Sequence, residues 1–325
     1  MLLACSLAGV LLPTAAQSAT IRVVRNVQVP TADGGSIPVD VWRPGARTVA
    51  RASTVTLRPV ALLVHGGGWH TGDKSQWEQS RWAQRLAARG WLVVNANYRL
   101  ACAADGTTAT GTLDADEVAT MRRDGRSGRT TRDPRMCGHA LRTSIADVRQ
   151  ALRYTSTHAR GWGGDPRRIV MYGASAGGHL AMLAASDPAR PAGLLAVVAL
   201  SPPTDLVTVG ADPSLPIHGS ARLAIGCDLA TCPEQWRLAS PFHRIRRGVT
   251  VPTWVFDAGS DPITPLAPAR AYVMRLRGLG IASTLVTTAD LSATCHGPIP
   301  CAGVRLAGSD LGLFEHAQAW LRPRL

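Results

Sequence analysis

The sequence predicts an α/β fold, with a mainly parallel sheet covered by helices on both faces and a disulfide-bounded insertion. Three observations lead there. Apolar runs of strand length alternate with amphipathic helical stretches. Several of those runs are apolar throughout, as strands buried on both faces must be. Each motif with chemical potential falls just after a predicted strand, at the carboxyl edge where parallel sheets carry their sites.

The elements follow in order. Residues 21–29 and 37–42 read as strands, and Asp33-Gly34-Gly35 between them signals a hairpin turn. Residues 60–64 form the first fully apolar strand. Residues 76–89 place Trp82, Ala83, Leu86 and Ala87 at helical spacing, and Gly90 ends that helix. Residues 91–97 are the next buried strand. Residues 101–140 break the rhythm as an insertion rich in Gly, Thr, Asp and Arg. Beyond it come a helix at 144–158, a strand at 168–172, a helix at 176–186 and a strand at 194–200. Residues 202–248 are Pro-punctuated and read as an irregular, cap-like segment with one short helix. A strand at 251–257, a helix at 268–277, a strand at 281–287 and a helix at 311–321 complete the chain.

The bulk properties bound the function. Hydrophobic residues are 46% and charged residues 18% of 325, enough apolar material for one large core over 20–325. The net charge is +13, but Lys74 is the only lysine and the arginines are scattered. No nucleic-acid-binding pattern accompanies them, so no nucleic-acid partner is expected. Residues 1–19 resemble a secretory signal peptide, with cleavage after Ser18 or Ala19, which implies a secreted protein, extracellular or periplasmic. The apolar run is too short to span a bilayer, so no stable membrane insertion is expected. Six cysteines follow Cys5, an even number that suits an oxidising compartment. Nearness in sequence favours the pairs Cys102–Cys137, Cys227–Cys232 and Cys295–Cys301. Without a C-x-x-C pair or ligand spacing among the histidines, no metal is expected. Oligomeric state leaves no signature.

The strongest chemical signal is Gly173-Ala174-Ser175-Ala176-Gly177 between a predicted strand and a predicted helix. A sharp strand–turn–helix reversal presents a serine as a nucleophile, and only small flanking residues fit it. The second signal is His65-Gly66-Gly67-Gly68-Trp69 after the strand 60–64. Its glycines let backbone N–H groups approach a substrate, so Gly67, Gly68 and Ala176 are the expected oxyanion donors. His65 reads as a brace. A serine needs a base, and the base an orienting acid, in the order Ser, Asp, His. Asp261 lies in a turn after the strand 251–257, with Asp257 as its competitor. His296 lies in the loop after the last strand; His316, inside the closing helix, reads as structural. Trp69 and His70, and with them Trp236, are expected to border the substrate pocket.

These motifs resemble the hormone-sensitive-lipase-like and BD-FAE-like carboxylesterases of the α/β-hydrolase superfamily. The matching stretches are HGGGW at 65–69, GDK at 72–74, NYRL at 97–100, GGDPRRIVMYGASAGGHLA at 163–181, SDPITP at 260–265 and CHG at 295–297. The resemblance implies an α/β-hydrolase fold and a carboxylic-ester hydrolase with Ser175, Asp261 and His296 as its triad. It implies no cofactor, and a small-molecule or polymer-attached ester as substrate. An acyltransferase using the same triad on a carbohydrate or other alcohol, and a non-catalytic binding protein, are the alternative readings. The insertion departs from the family, in which YRL runs quickly into the helix that here carries Asp147 to Arg153. It reads as a flap near the acyl or alcohol pocket, or else as a surface excursion.

Overall fold

A computed structural model of the chain describes residues 20–45, 56–102, 136–297, 301 and 303–325. The apolar runs become the strands of one sheet: β1 (Ile21–Pro30), β2 (Ser36–Pro44), β3 (Arg58–Val64), β4 (Leu92–Ala96), β5 (Gly164–Ala174), β6 (Leu194–Leu200), β7 (Thr253–Asp257) and β8 (Thr284–Thr287). Among the described residues the order is β1-β2-β4-β3-β5-β6-β7-β8. The expected hairpin pairs β1 with β2, β2 runs antiparallel to β4, and every other pairing is parallel. This is an α/β-hydrolase fold.

The central strands are apolar along most of their length because alternate residues feed two separate cores. Val60, Leu62 and Val64 of β3 point to one, Ala61 and Leu63 to the other. The first core is closed by α2 (Leu141–His158) and α3 (Ala176–Ala185), the second by α1 (Trp77–Ala88). Toward the carboxyl terminus, α8 (Leu266–Gly278) joins the first face and α9 (Leu313–Leu321) the second. Fully burying one Leu such as Leu62 stabilises by roughly 1.5–3 kcal/mol.

Two expectations are corrected. The segment 202–248 holds four short helices instead of one: α4 (Leu206–Ala211), α5 (His218–Ile225), α6 (Pro233–Ala239) and α7 (Pro241–Arg244). Helices of one or two turns are too short to repeat an apolar face, so periodicity does not reveal them. The last strand starts at Thr284, not at 281. Gly280 takes φ +75° and the Ile281 N–H closes α8 on the Leu276 carbonyl, which spends Ile281 on a helix end.

All three disulfides form as the sequence spacing suggested. Cys102–Cys137 closes the neck of the insertion, where Leu100 N–H donates to Met136 O and Gly138 N–H to Cys102 O. The proposed signal peptide and the insertion at 103–135, with its flap reading, lie outside the described residues. No described helix is long and apolar enough to cross a membrane.

Candidate active site

The chain reverses at Ser175, between β5 and α3, with φ +51° and ψ −124°. Such a conformation costs a non-glycine residue about 1–3 kcal/mol, so its surroundings must impose it. They do so by close packing. A Cβ on Gly177 would sit 2.2 Å from Val64 O and 2.4 Å from His65 O; one on Gly173 would sit 2.4 Å from the Gly177 carbonyl carbon. The turn is also pinned by Ser175 N–H to Leu200 O (2.8 Å) and His179 N–H to Ser175 O (3.0 Å). The serine is left half-buried at the carboxyl edge of the sheet.

The glycine loop lies against this turn. A Cβ on Gly66 would press on Ala174 O and Ser175 Cβ. Gly67 has φ +115° and its carbonyl accepts from His70 and Thr71, which curls the loop back. Among the described residues, no protein acceptor takes the N–H groups of Gly67, Gly68 or Ala176. His65 braces the loop as expected: Nδ1 donates to Gly66 O (2.7 Å), its ring stacks on Tyr98, and the Tyr98 hydroxyl donates to His65 O. Behind the loop the GDK and NYRL stretches interlock. Lys74 N–H donates to Asn97 Oδ1, Asn97 Nδ2 donates to Asp73, and the Lys74 ammonium pairs with buried Asp40 at 2.7 Å.

Trp69, His70 and Trp236 differ from expectation. None has exposed surface, so they brace the site and do not wall an open pocket. Trp69 Nε1 donates to His179 Nδ1 (3.1 Å), and His179 Nε2 donates to Ala239 O (2.7 Å), which ties the loop to α3 and the cap-like segment. His70 Nε2 pairs with the Ser220 hydroxyl on α5. Burial pushes both imidazoles down to about 4, so they are neutral near pH 7. Trp236 donates to Cys227 O inside the segment. The aromatic residues signalled bulk near a strand end, but not which side of the loop they fill.

Asp261 and His296 meet across 35 residues of chain. His296 Nδ1 donates to both carboxylate oxygens at 2.9 and 2.8 Å, which leaves Nε2 to face other chemistry. Burial works against the Asp261 charge, but the His296 bond and the N–H groups of Thr264 and Ile263 outweigh it and hold the carboxyl below its usual range. The Ser175 hydroxyl makes no hydrogen bond to a described residue. His316 accepts from Trp254 Nε1, the structural role expected of it. No described cluster of side chains could hold a metal ion.

One residue at this edge escaped the sequence reading. Ser201, directly after β6, is buried with φ +46°. Its N–H donates to Phe256 O, and its hydroxyl accepts from Gly297 N–H (3.1 Å), beside His296. Leu200, its neighbour, holds Ser175. Two consecutive residues thus tether the elbow and the histidine loop. A polar residue closing an apolar strand was the available signal.

The chain matches the BD-FAE family model over residues 49–110 and 135–276, which takes in Ser175 and Asp261 but stops short of His296. It is 27% identical to the esterase LipC of Mycobacterium tuberculosis over 292 residues, 85% of this chain and 60% of that protein. It is 25% identical to the probable carboxylic ester hydrolase LipM of the same organism over 277 residues, 79% of this chain and 52% of that one. The chain thus spans between half and three fifths of these relatives' length. Thermogutta terrifontis esterase 2 shares the fold: its sarin-phosphonylated form gives a TM-score of 0.61 at 21% identity, covering 97% of this chain and 98% of that one.

Proposed function

The chain belongs to the BD-FAE family, and on that premise we propose that it is a serine carboxylic-ester hydrolase acting on small or medium esters. The observation that carries this reading is Ser175, forced to positive φ at the head of α3, on the same sheet edge as the His296–Asp261 pair. His296 takes the Ser175 proton as the hydroxyl attacks the ester carbonyl. The N–H groups of Gly67, Gly68 and Ala176 receive the oxyanion, each worth roughly 3 kcal/mol. Asp261 fixes the tautomer that offers Nε2 and stabilises the ring once charged. The alcohol leaves, and water activated by the same ring releases the acid. The three disulfides support export to an oxidising compartment.

The test is hydrolysis of p-nitrophenyl esters of increasing acyl length, with Ser175→Ala alongside. Turnover should vanish in the variant, and paraoxon should add one phosphoryl adduct to the native chain only. Turnover that survives in Ser175→Ala would refute the reading. Acyl transfer to an added carbohydrate in preference to water would convert it to a transferase with the same residues.

A further inference from the structure

The arginines that lie scattered along the sequence are gathered by the fold. β3, β5, β6, β7 and β8 lie side by side and run parallel, so their amino ends share one edge of the sheet. Ser175, directly after β5, sits on the opposite edge. Each of these strands is entered past an arginine. Arg58 starts β3, Arg160 precedes β5, Arg190 precedes β6, Arg246 and Arg247 precede β7, and Arg277 precedes β8. Arg160, Arg246, Arg247 and Arg277 are exposed; Arg58 and Arg190 are half-buried. The entries touch one another in turn: Arg58 N–H donates to Gly163 O, Ile169 N–H to Gly193 O, Arg190 Nε to Val249 O, and Thr253 N–H to Ser283 Oγ. At a strand spacing of about 4.8 Å the row runs for about 20 Å.

Among the described residues, no carboxylate pairs with any of the six. The acids nearest them in the chain are engaged elsewhere: Asp165 pairs with Arg167 and Arg168, and Asp187 with Arg149. Where the row's guanidinium groups do bond, from Arg58, Arg190 and Arg277, they donate to backbone carbonyls, which leaves their charge uncompensated. At the opposite edge Asp205, Asp261 and Asp290 follow β6, β7 and β8. Charge is therefore polarised across the sheet, positive where the strands begin. A row of this length suits an extended polyanion, and the planar fork of arginine matches the two oxygens of a carboxylate. Of the exposed large apolar side chains, only Met274, one turn before Arg277, lies in the segments that make up the row, too little to anchor this edge in a bilayer. We propose that this edge binds an acidic polysaccharide through its uronate carboxylates and holds the protein with the Ser175 edge turned away from the polymer it grips. Export to an oxidising compartment, proposed above, brings the protein to such glycans and not to nucleic acid. The binding step is independent of the triad reading. Only its consequence, that esters on neighbouring chains are presented to Ser175, rests on it.

The test is binding of the full chain to polygalacturonate at low and at raised salt. The native protein should bind at low salt and be released as salt screens the contacts. The double variant Arg246→Gln, Arg247→Gln should bind roughly ten-fold more weakly. Arg222→Gln with Arg237→Gln removes the same charge from α5 and α6 in the cap-like segment, and should weaken binding by less than about two-fold. Both pairs change exposed side chains. Turnover of p-nitrophenyl acetate should stay unchanged in Arg246→Gln, Arg247→Gln, which verifies its fold. No binding at low salt would overturn the proposal. So would equal losses in the two double variants, as net charge alone would give, or tighter binding to phosphatidylglycerol vesicles or duplex DNA than to polygalacturonate. Ser175→Ala should bind polygalacturonate as the native chain does, so failure of the triad reading would show in its ester turnover and leave the binding result untouched.

Discussion

Ser175 and Ser201 both hold positive φ, where glycine would be cheaper, and in each the hydroxyl explains why glycine is absent. Ser175 was legible because its determinants are local: the five residues of the elbow carry both the proposed nucleophile and the small neighbours that let it turn. Ser201 was not, because the N–H its hydroxyl accepts belongs to a residue 96 positions away. Replacing Ser201 with Ala leaves the buried Gly297 N–H without an acceptor, at a cost of about 1–3 kcal/mol. The histidine loop should loosen, and kcat should fall roughly ten-fold with KM nearly unchanged. Steady-state kinetics on one ester would check this. A change confined to KM would assign Ser201 to the substrate pocket instead.

At the scale of elements, α3 does more than present Ser175. Its His179 bonds the glycine loop through Trp69 and the cap-like segment through Ala239, so one helix turn joins three parts of the site. That role has a pH signature. Burial lowers the His179 imidazole from 6.5 to about 4, so between those values the unfolded chain binds a proton that the folded chain refuses. Stability therefore rises with pH across that window, is complete above it, and is lost as pH falls toward 4. By linkage the contribution is on the order of 3 kcal/mol. The urea midpoint should drop between pH 7 and pH 4, and His179→Gln should flatten the drop. An equal slope in the variant would place the proton uptake elsewhere, His70 being the next candidate. Strands and long helices were readable because their periodicity follows from one sheet with two covered faces. The short helices of 202–248 were not, because packing and prolines make them without a repeating apolar face.

Across the whole molecule, the insertion enters and leaves through a narrow neck beside the site. Cys102 and Cys137 close it, and Ala101 N–H donates to Trp69 O at 2.8 Å, so the neck touches the glycine loop directly. The disulfide bridges 35 positions of sequence, a loop for which closure entropy suggests about 4 kcal/mol. Replacing both cysteines with Ala should lower the thermal midpoint by several degrees and reduce kcat together with stability. An unchanged midpoint would mean that the backbone bonds of the neck suffice without the disulfide.

The order of the strands and the long helices, the elbow serine, the glycine loop and the separate Asp and His candidates all follow from the sequence, because each depends on neighbours within a few residues. Only the tertiary structure decides that His296 reaches Asp261, that Ser201 clasps the histidine loop, and that Trp69 and His70 face inward as braces. These depend on which strand ends the sheet sets side by side. That adjacency is a product of packing between residues far apart in the chain, which no local pattern encodes.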